Sequence, residues 1–378
     1  MPVRVGWPSV ASEVLDLFLE LAAVASPSGE ERAVADLVLA FLGDCGLRAD
    51  EDDTGPAVGS TMGNIHVALE PTADGEPLFL CAHLDTVPPT DAIEPIVDDG
   101  IVRNARPAIL GGDNKAAVAT MLEATRRVLV ENRPHAGIEL VFTSKEEVGL
   151  LGAYAFDHTR LRSRIGYVYD QAAPVGDIIL GAPSAHRLDI TFHGRAAHAG
   201  MYPEEGRSAV AAAARAITEM RLGRIDDETT ANVGQITGGT AANIVPEWCS
   251  LVAEVRSHDE GKLTDLVQSM QDAITFAAAV ADCDAETKVR RSYRGYRFRH
   301  DDVAVRLAAD ALGRCGFEPR YGLSGGAADA NAFNERGLQC VNLANGMAEI
   351  HTPDEHIAVA DLDAMVDVTL ALVDAAAR

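Results

Sequence analysis

Histidine and acidic residues follow several apolar runs of this sequence at the point where each run ends. Five groups of this kind are His83-Leu84-Asp85 after the run 77–82, Gly112-Asp113-Asn114-Lys115 at the start of a helical pattern, Glu146-Glu147 after 138–143, Asp170 after 165–169, and His351 after 340–343. The runs are typical of buried strands. Imidazole and carboxylate groups suit zinc, cobalt or manganese, and an aspartate can bridge two such ions.

Each group taken alone has an ordinary structural interpretation. A single His-x-Asp at a strand end is more often a hydrogen-bonded structural feature, Asp113 could be a helix N-cap, and adjacent glutamates are usually solvated. The coincidence of the groups favours chemistry, because parallel strands deliver their carboxyl ends to one edge of a sheet. Converging carboxylates would leave uncompensated negative charge without a cation, so the sequence predicts a metal site.

The elements that must position these residues alternate in type. Helical periodicity from Ser12 stops at Ser26-Pro27-Ser28-Gly29, where a second helix is predicted to start and run to about Gly43. Strands are predicted at 65–69, 77–82, 138–143 and 165–169 with a helix at 116–130, and the pattern resumes with helices at 303–315, 330–336 and 359–377 around a strand at 340–343. This alternation predicts an α/β fold.

The middle of the chain has a different rhythm. Strands are predicted at 188–192, 232–237, 250–256 and 287–293, with helices at 207–220 and 260–281. This order is typical of a compact α+β unit. We therefore predict one domain formed by residues 1–185 and 298–378, interrupted by an inserted domain at 186–297.

Composition limits the function classes. The 378 residues contain 32 basic and 57 acidic side chains, for a net charge of −25, which disfavours nucleic acid and anionic membrane surfaces as partners. No run of 18 apolar residues and no export signal is evident. The six scattered cysteines form no C-x-x-C pair and predict separate thiols, so a reducing, cytoplasmic location is expected.

The five ordered groups together resemble the M20 family of metallopeptidases, most closely its peptidase T (tripeptidase) and peptidase T-like group. The resemblance covers nearly the whole chain and implies a di-zinc exopeptidase-like catalytic domain, with a mixed, mostly parallel sheet flanked by helices and an inserted α+β lid and dimerisation domain. It implies two Zn²⁺ per subunit, with Co²⁺ or Mn²⁺ as alternatives.

The resemblance also implies roles for the site residues. Asp113 would bridge the two ions, His83 and Asp170 would complete one, and Glu147 and His351 would complete the other. Asp85 would orient His83. Glu146 would be the general base, taking a proton from the attacking water and passing it to the leaving amine.

The middle domain resembles the family's lid domain in Phe192-His193-Gly194-Arg195-Ala196-Ala197-His198-Ala199-Gly200. The resemblance implies that His198 reaches the active site of a partner subunit in a homodimer and polarises the substrate carbonyl. Asn243 and Arg256 are implied as ligands of the substrate backbone or carboxylate, with a surface salt bridge as the alternative for Arg256. The segment Gly325-Gly326-Ala327-Ala328-Asp329 resembles a family loop but has one residue more before the aspartate.

Two other classes of function compete with the metallopeptidase. Gly322-Leu323-Ser324-Gly325-Gly326 matches G-x-S-x-G, so a serine hydrolase could use Ser324 with Asp329 or Asp354 and His356. This alternative leaves the earlier carboxylate groups unexplained. A non-catalytic peptide-binding relative is the other class, and the retention of Glu146 beside the ligands argues against it.

The metallopeptidase interpretation does not determine the substrate. Fold does not determine which amide bond is cleaved. The motifs around His198 and Asn243 favour release of N-terminal residues from short peptides, and an N-acyl amino acid amidohydrolase is the alternative.

Overall fold

The computed structural model describes residues 13–377, which divide into two compact units. Within that range the first unit contains residues 13–180, 297–324 and 328–377, and the second contains 181–296 and 325–327. None of the helices in the described part of the chain combines the length and the apolar character that crossing a membrane requires.

The helices and strands are numbered along the chain. The helices are α1 Glu13–Ala22, α2 Arg32–Asp44, α3 Gly55–Val58, α4 Gly112–Val130, α5 Leu151–Ala155, α6 Ala209–Glu219, α7 Glu260–Val280, α8 Val303–Arg314, α9 Asp329–Glu335 and α10 Val359–Ala376. The strands are β1 Asp50–Glu51, β2 Ile65–Leu69, β3 Leu78–His83, β4 Pro95–Asp98, β5 Ile101–Asn104, β6 Ile138–Thr143, β7 Ile165–Gln171, β8 Asp177–Ala182, β9 Ser184–His193, β10 Gly223–Asp226, β11 Thr229–Gly238, β12 Trp248–Ser257, β13 Asp284–Tyr293, β14 Tyr296–Arg297, β15 Arg320–Leu323, β16 Gln339–Ala344 and β17 His356–Ala358.

The main sheet of the first unit has the order β1-β2-β6-β3-β7-β16-β8, and β15 also pairs with β8. Its four central strands, β6, β3, β7 and β16, are parallel, whereas β2 and β8 pair antiparallel with their neighbours. Strand β6 is buried along its whole length, as expected for a strand covered on both faces. The prediction of a mixed sheet flanked by helices is confirmed.

Successive residues of a strand point to opposite faces of the sheet, and the central strands carry buried residues at successive positions. Both faces of the sheet are therefore covered by helices. Leu80 and Leu140 belong to the large apolar core that includes the buried face of α4. On the opposite face, the Phe79 ring lies 4.9 Å from that of Phe333 in α9. The carboxyl ends of the parallel strands are thereby held in a rigid, packed frame.

At the amino end of β6, Glu139 is a buried carboxylate that serves structure rather than the site. It is 2% exposed and accepts hydrogen bonds from the Ser163 hydroxyl at 2.6 Å, the Ser163 amide at 2.8 Å and the Arg162 amide at 3.0 Å. Its oxygen also lies 3.2 Å from His66 Nε2. Burial alone would raise the pKa of Glu139, but these hydrogen bonds outweigh it and lower that pKa.

We expect Glu139→Gln to reduce the free energy of unfolding by about 1–3 kcal/mol at pH 7, because hydrogen bonds to the buried charge are lost. A carboxylate whose pKa is lower in the folded than in the unfolded state stabilises the folded protein at pH values above its unfolded pKa of about 4.3. That stabilisation is lost as the pH falls through the folded pKa. Urea unfolding of both proteins between pH 3 and pH 7 measures this. The difference between them should shrink below about pH 4, and a pH-independent difference would contradict the charge-based explanation.

The second unit is an antiparallel sheet of order β10-β11-β12-β9-β13. Its core is built from apolar residues of the strands together with α6 and α7, as the alternation in β9 and β12 predicts. The Ser208 hydroxyl caps α6 by accepting from the Ala211 amide, and Asp259 caps α7 by accepting from the Lys262 amide. This separate antiparallel sheet agrees with the predicted α+β insert.

One local expectation is wrong, and one small sheet was not predicted. Helix α2 begins at Arg32 rather than near Ser26, because Ser26 and Pro27 pair in extended form with Thr86. A small sheet of order β17-β5-β4 was also not predicted. The turn of its hairpin is Asp99-Gly100, with both residues at positive φ, and this Asp-Gly pair was an available signal.

Candidate metal centre

The carboxyl ends of the parallel strands meet at one edge of the main sheet, and the predicted ligands lie there. His83 is the last residue of β3, Asp170 is next to last in β7, and Glu146 and Glu147 follow β6 after a short turn. Strand β3 pairs with β6 so that His83 is level with Thr143. The geometry follows from the parallel register, as the sequence pattern indicated.

Asp113 lies between the two histidines. Its Oδ1 is 3.2 Å from His83 Nε2, and its Oδ2 is 3.2 Å from His351 Nε2. The residue is 6% exposed and sits in the first turn of α4, but with non-helical φ and ψ, and its peptide bond to Asn114 is cis. One carboxylate therefore offers one oxygen to each of two ligand groups, as expected of a bridging ligand.

Asp170 and Glu147 complete these two groups. Asp170 Oδ1 lies 3.8 Å from His83 Nε2, and both Glu147 carboxylate oxygens lie 3.1 Å from His351 Nε2. His351 is the most open of the site residues, with 45% of its side chain exposed, and it has a positive φ of 64°. Such left-handed conformations of bulky residues cluster at functional sites.

Glu146 is also close to this group. One ligand atom each from His83, Glu146 and Asp170 lie within 4.8 Å of one another, as do atoms of His83, Asp113 and Glu147. Burial raises the pKa of Glu146 well above its usual value. A raised pKa makes a carboxylate a stronger base, which suits proton transfer.

Asp85 contacts both His83 and the turn that carries Glu146 and Glu147. The His83 ring donates from Nδ1 to the Asp85 backbone carbonyl at 2.9 Å, and the Asp85 carboxylate lies 3.6 Å from that nitrogen. The carboxylate instead accepts from the Ser28 hydroxyl at 2.6 Å and from the backbone amides of Glu146 at 2.8 Å and Glu147 at 3.2 Å. Asp85 thus fixes the turn that carries both glutamates, and its backbone leaves His83 Nε2 free as a ligand.

The charge balance of the group fits divalent cations. Four carboxylates, from Asp113, Glu146, Glu147 and Asp170, lie close to two imidazoles, those of His83 and His351. Burial and the charge of Asp113 raise the pKa of Asp170 to about 8. Hydrogen bonds to Asp113 and Glu147 raise the pKa of His351 to about 10. Four carboxylates beside two imidazoles leave an excess of negative charge, which cations bound by nitrogen and oxygen donors would neutralise.

Three further polar residues, Ser28, Asp329 and Glu355, support this edge, and none of them was predicted to take part in the metal site. Ser28 bonds Asp85, as described above. Glu355 accepts backbone N–H groups from the loop before Asp113. Asp329, 2% exposed, accepts from the Thr143 hydroxyl at 2.5 Å and from the Cys81 thiol at 3.6 Å. Ser28 and Asp329 lie in segments described above, and this position was an available signal. The residues that they and Glu355 contact are distant in sequence, so the contacts themselves could not be predicted.

His198, Asn243 and Arg256 lie in the second unit. His198 Nδ1 accepts from the backbone amides of Gly200 at 3.2 Å and Met201 at 3.1 Å. The Asn243 carbonyl accepts from the Ala199 amide at 3.0 Å, so Asn243 lies against the same turn. The Arg256 guanidinium pairs with Glu254 at 2.6 Å and donates to the Gly325 carbonyl at 3.3 Å.

The acid and base suggested for a serine hydrolase have other partners. Asp329 is bonded to Thr143 and Cys81, and His356 Nδ1 lies 2.8 Å from the Asp354 backbone carbonyl. His356 belongs to β17, which pairs with β5. These contacts give no support to a charge-relay arrangement around Ser324.

Two family profiles match this chain. One is described as the peptidase dimerisation domain of the M20 peptidases and matches residues 180–281. The other is described as peptidase family M28 and matches residues 64–176. The first match lies almost wholly in the second unit, and the second covers β2 through β7, which carry most of the candidate ligands.

Similar proteins extend over the whole chain. The uncharacterized protein YqjE of Bacillus subtilis is 36% identical over 365 residues, or 97% of this chain and 98% of its own. The structure of aminopeptidase PepT from Bacillus cereus is 37% identical with a TM-score of 0.87, covering 97% and 99% of the two chains. That of a tripeptidase from Staphylococcus aureus is 33% identical with a TM-score of 0.90, covering 96% and 97%.

Proposed function

Because the chain belongs to the M20 family of metallopeptidases and is a peptidase T-like metallo-exopeptidase, we propose that it releases N-terminal residues from short peptides at a site for two divalent cations. The observation that carries this proposal is the Asp113 carboxylate, with one oxygen facing His83 and the other facing His351. Asp113 would be shared, His83 and Asp170 would hold one ion, and Glu147 and His351 the other. We propose zinc, with cobalt or manganese as alternatives.

Cations held there would supply Lewis acidity to the scissile carbonyl and to the attacking water. Glu146 would accept the proton of that water at its carboxylate and return it to the leaving amine. Its position beside His83 and Asp170, and the burial that raises its pKa, support this role. Asp85 would keep Glu146 in place through the hydrogen bond to the Glu146 amide.

His198 would donate a hydrogen bond to the substrate carbonyl in the active site of a partner subunit. Its Nδ1 already accepts two backbone N–H groups, so in the neutral ring Nε2 carries the proton and can donate. This tautomer supports stabilisation of developing negative charge. Asn243, bonded to the same turn, and Arg256 would bind the substrate backbone or its carboxylate.

The proposal also includes the roles of the two domains, the cellular location and the partners of the protein. Residues 1–185 and 298–378 would form the catalytic domain, and 186–297 the lid through which a homodimer forms, supported by the dimerisation profile. The six cysteines are free thiols, which supports a cytoplasmic location. A net charge of −25 supports the absence of nucleic acid and membrane partners.

Metal content and a matched pair of tripeptides test the proposed function. We expect about two metal ions per chain by mass spectrometry, hydrolysis that stops on chelation and returns with metal, and no effect of serine-directed reagents. A tripeptide with a free α-amino group should be cleaved, and the same peptide acetylated at that group should not. No metal uptake would contradict the site, and preference for the acetylated peptide would identify an N-acyl amino acid amidohydrolase.

A further inference from the structure

Glu355 is a buried carboxylate beside the candidate metal centre that is assigned neither as a metal ligand nor as a base in the proposed function. It is 2% exposed and immediately precedes β17. A carboxylate in such a place is costly unless its oxygens accept hydrogen bonds. Its partners therefore indicate what it does.

The Glu355 side chain accepts three hydrogen bonds from the backbone of the loop that leads to Asp113. Glu355 Oε2 accepts from the Leu110 amide at 2.8 Å and the Gly111 amide at 2.9 Å, and Oε1 accepts from the Asp113 amide at 2.9 Å. Charge-assisted bonds of this kind are roughly twice as strong as neutral ones. The main chain that carries the shared carboxylate is thus held at three points by one side chain.

The glycines of this loop agree with close contact to Glu355. A Cβ on Gly112 would lie 3.1 Å from Glu355 Oε1, which is tighter than ordinary van der Waals contact. Gly111 has a φ of +76°, in the left-handed region that glycine adopts without strain. The loop therefore has both the shape and the space to wrap around this carboxylate.

Glu355 is itself fixed to the segment that carries His351. Its amide donates to the Thr352 carbonyl at 3.2 Å, and the next residue, His356, exchanges backbone hydrogen bonds with Ala348 at 3.0 and 3.1 Å. His351 lies inside the loop that this exchange closes. The Glu355 side chain consequently connects the loop of Asp113 to the loop of His351.

We propose that Glu355 is a positioning residue that sets the Asp113 carboxylate relative to His351, and so determines how tightly the metal pair is held. The proposal rests on the proposed function, because it assumes that these residues are ligands. It predicts an effect on the protein before any metal is bound, since the hydrogen bonds to Leu110, Gly111 and Asp113 do not require an ion.

The test is Glu355→Gln, which keeps the shape but turns one acceptor oxygen into an amide nitrogen that must face an N–H group. We expect affinity for Zn²⁺ to fall about 10–100-fold, measured by competition with a chelator. In metal-free protein, amide hydrogen exchange in a peptide covering residues 108–116 should accelerate. Gly112→Ala keeps the carboxylate but crowds it, and should reproduce both effects if Glu355→Gln does not fold.

Glu139→Gln is the matched control, because Glu139 is also 2% exposed and also accepts hydrogen bonds from backbone amides. Glu139 lies at the amino end of β6, whereas the candidate metal centre lies at the carboxyl ends of the strands. We expect it to lose stability while zinc affinity and exchange at 108–116 stay at the level of the unaltered protein. Unchanged affinity and exchange in Glu355→Gln, or equal losses in both variants, would overturn the proposal. If the unaltered protein binds none of zinc, cobalt or manganese, the proposed function fails, and the exchange measurement still reports on Glu355.

Discussion

Replacement of Glu146 by glutamine is expected to lower kcat for a tripeptide by about 10²–10⁴-fold, the usual contribution of a positioned general base. The amide is nearly isosteric with the carboxylate but cannot accept a proton from the attacking water. The backbone amide of residue 146 would still donate to Asp85, so the turn should keep its form. We therefore expect the bound metal content of Glu146→Gln to equal that of the unaltered protein.

Glu147→Gln is the matched control, because it makes the same chemical change one residue away. Both Glu147 oxygens face His351, as expected if Glu147 is a metal ligand. This variant should therefore bind less metal, whereas Glu146→Gln should lose the proton-transfer step. Mass spectrometry of the purified variants, run beside the tripeptide assay, separates the two effects. Loss of metal from Glu146→Gln would mean that Glu146 is a ligand with His83 and Asp170, whereas unchanged kcat would remove it from the mechanism.

A second large effect is expected from Asp113→Asn, which weakens the ligand that we propose both ion positions share. If about 4 kcal/mol of transition-state stabilisation from the cations is lost, kcat/KM falls about 10³-fold or more. Metal content should fall at both positions, because His83 and His351 each face a different oxygen of this carboxylate. The variant is measured by metal content and by hydrolysis after metal is returned in excess.

His351→Ala provides the comparison for this prediction. It removes a residue from only one side of Asp113 and leaves His83, Asp113 and Asp170 in place. We expect this variant to retain about one ion per chain, whereas Asp113→Asn retains neither tightly. Full metal content in Asp113→Asn would exclude Asp113 as the shared ligand.

The sequence contained enough information to predict the site residues as a group. His83, Glu146, Glu147 and Asp170 follow apolar strands, and the parallel pairing of those strands brings them to one edge. Strand periodicity is a local property, and the meeting of carboxyl ends is a general consequence of parallel topology. The elements and the shared edge could therefore be predicted without coordinates.

The supporting contacts could not be predicted in the same way. The resemblance implied a contact between Asp85 and His83, but it gave no sign of the hydrogen bonds that the Asp85 carboxylate accepts from the Ser28 hydroxyl and the Glu146 amide. Ser28, Asp85 and Glu146 come from three separate segments of the chain. A buried carboxylate must find acceptable donors, but which donors it finds depends on how the segments pack.

The sequence by itself thus determined the α/β alternation, the inserted α+β unit and the types of candidate ligand, because periodicity and charge are properties of short segments of the chain. The resemblance already implied that Asp113 lies between His83 and His351, but only the tertiary structure decided which carboxylate oxygen faces which histidine, and that Glu355 holds the loop before Asp113. Both arrangements join residues far apart in sequence. Their geometry comes from the close packing of the folded core, which fixes distances of about 3 Å between groups that no sequence pattern places side by side.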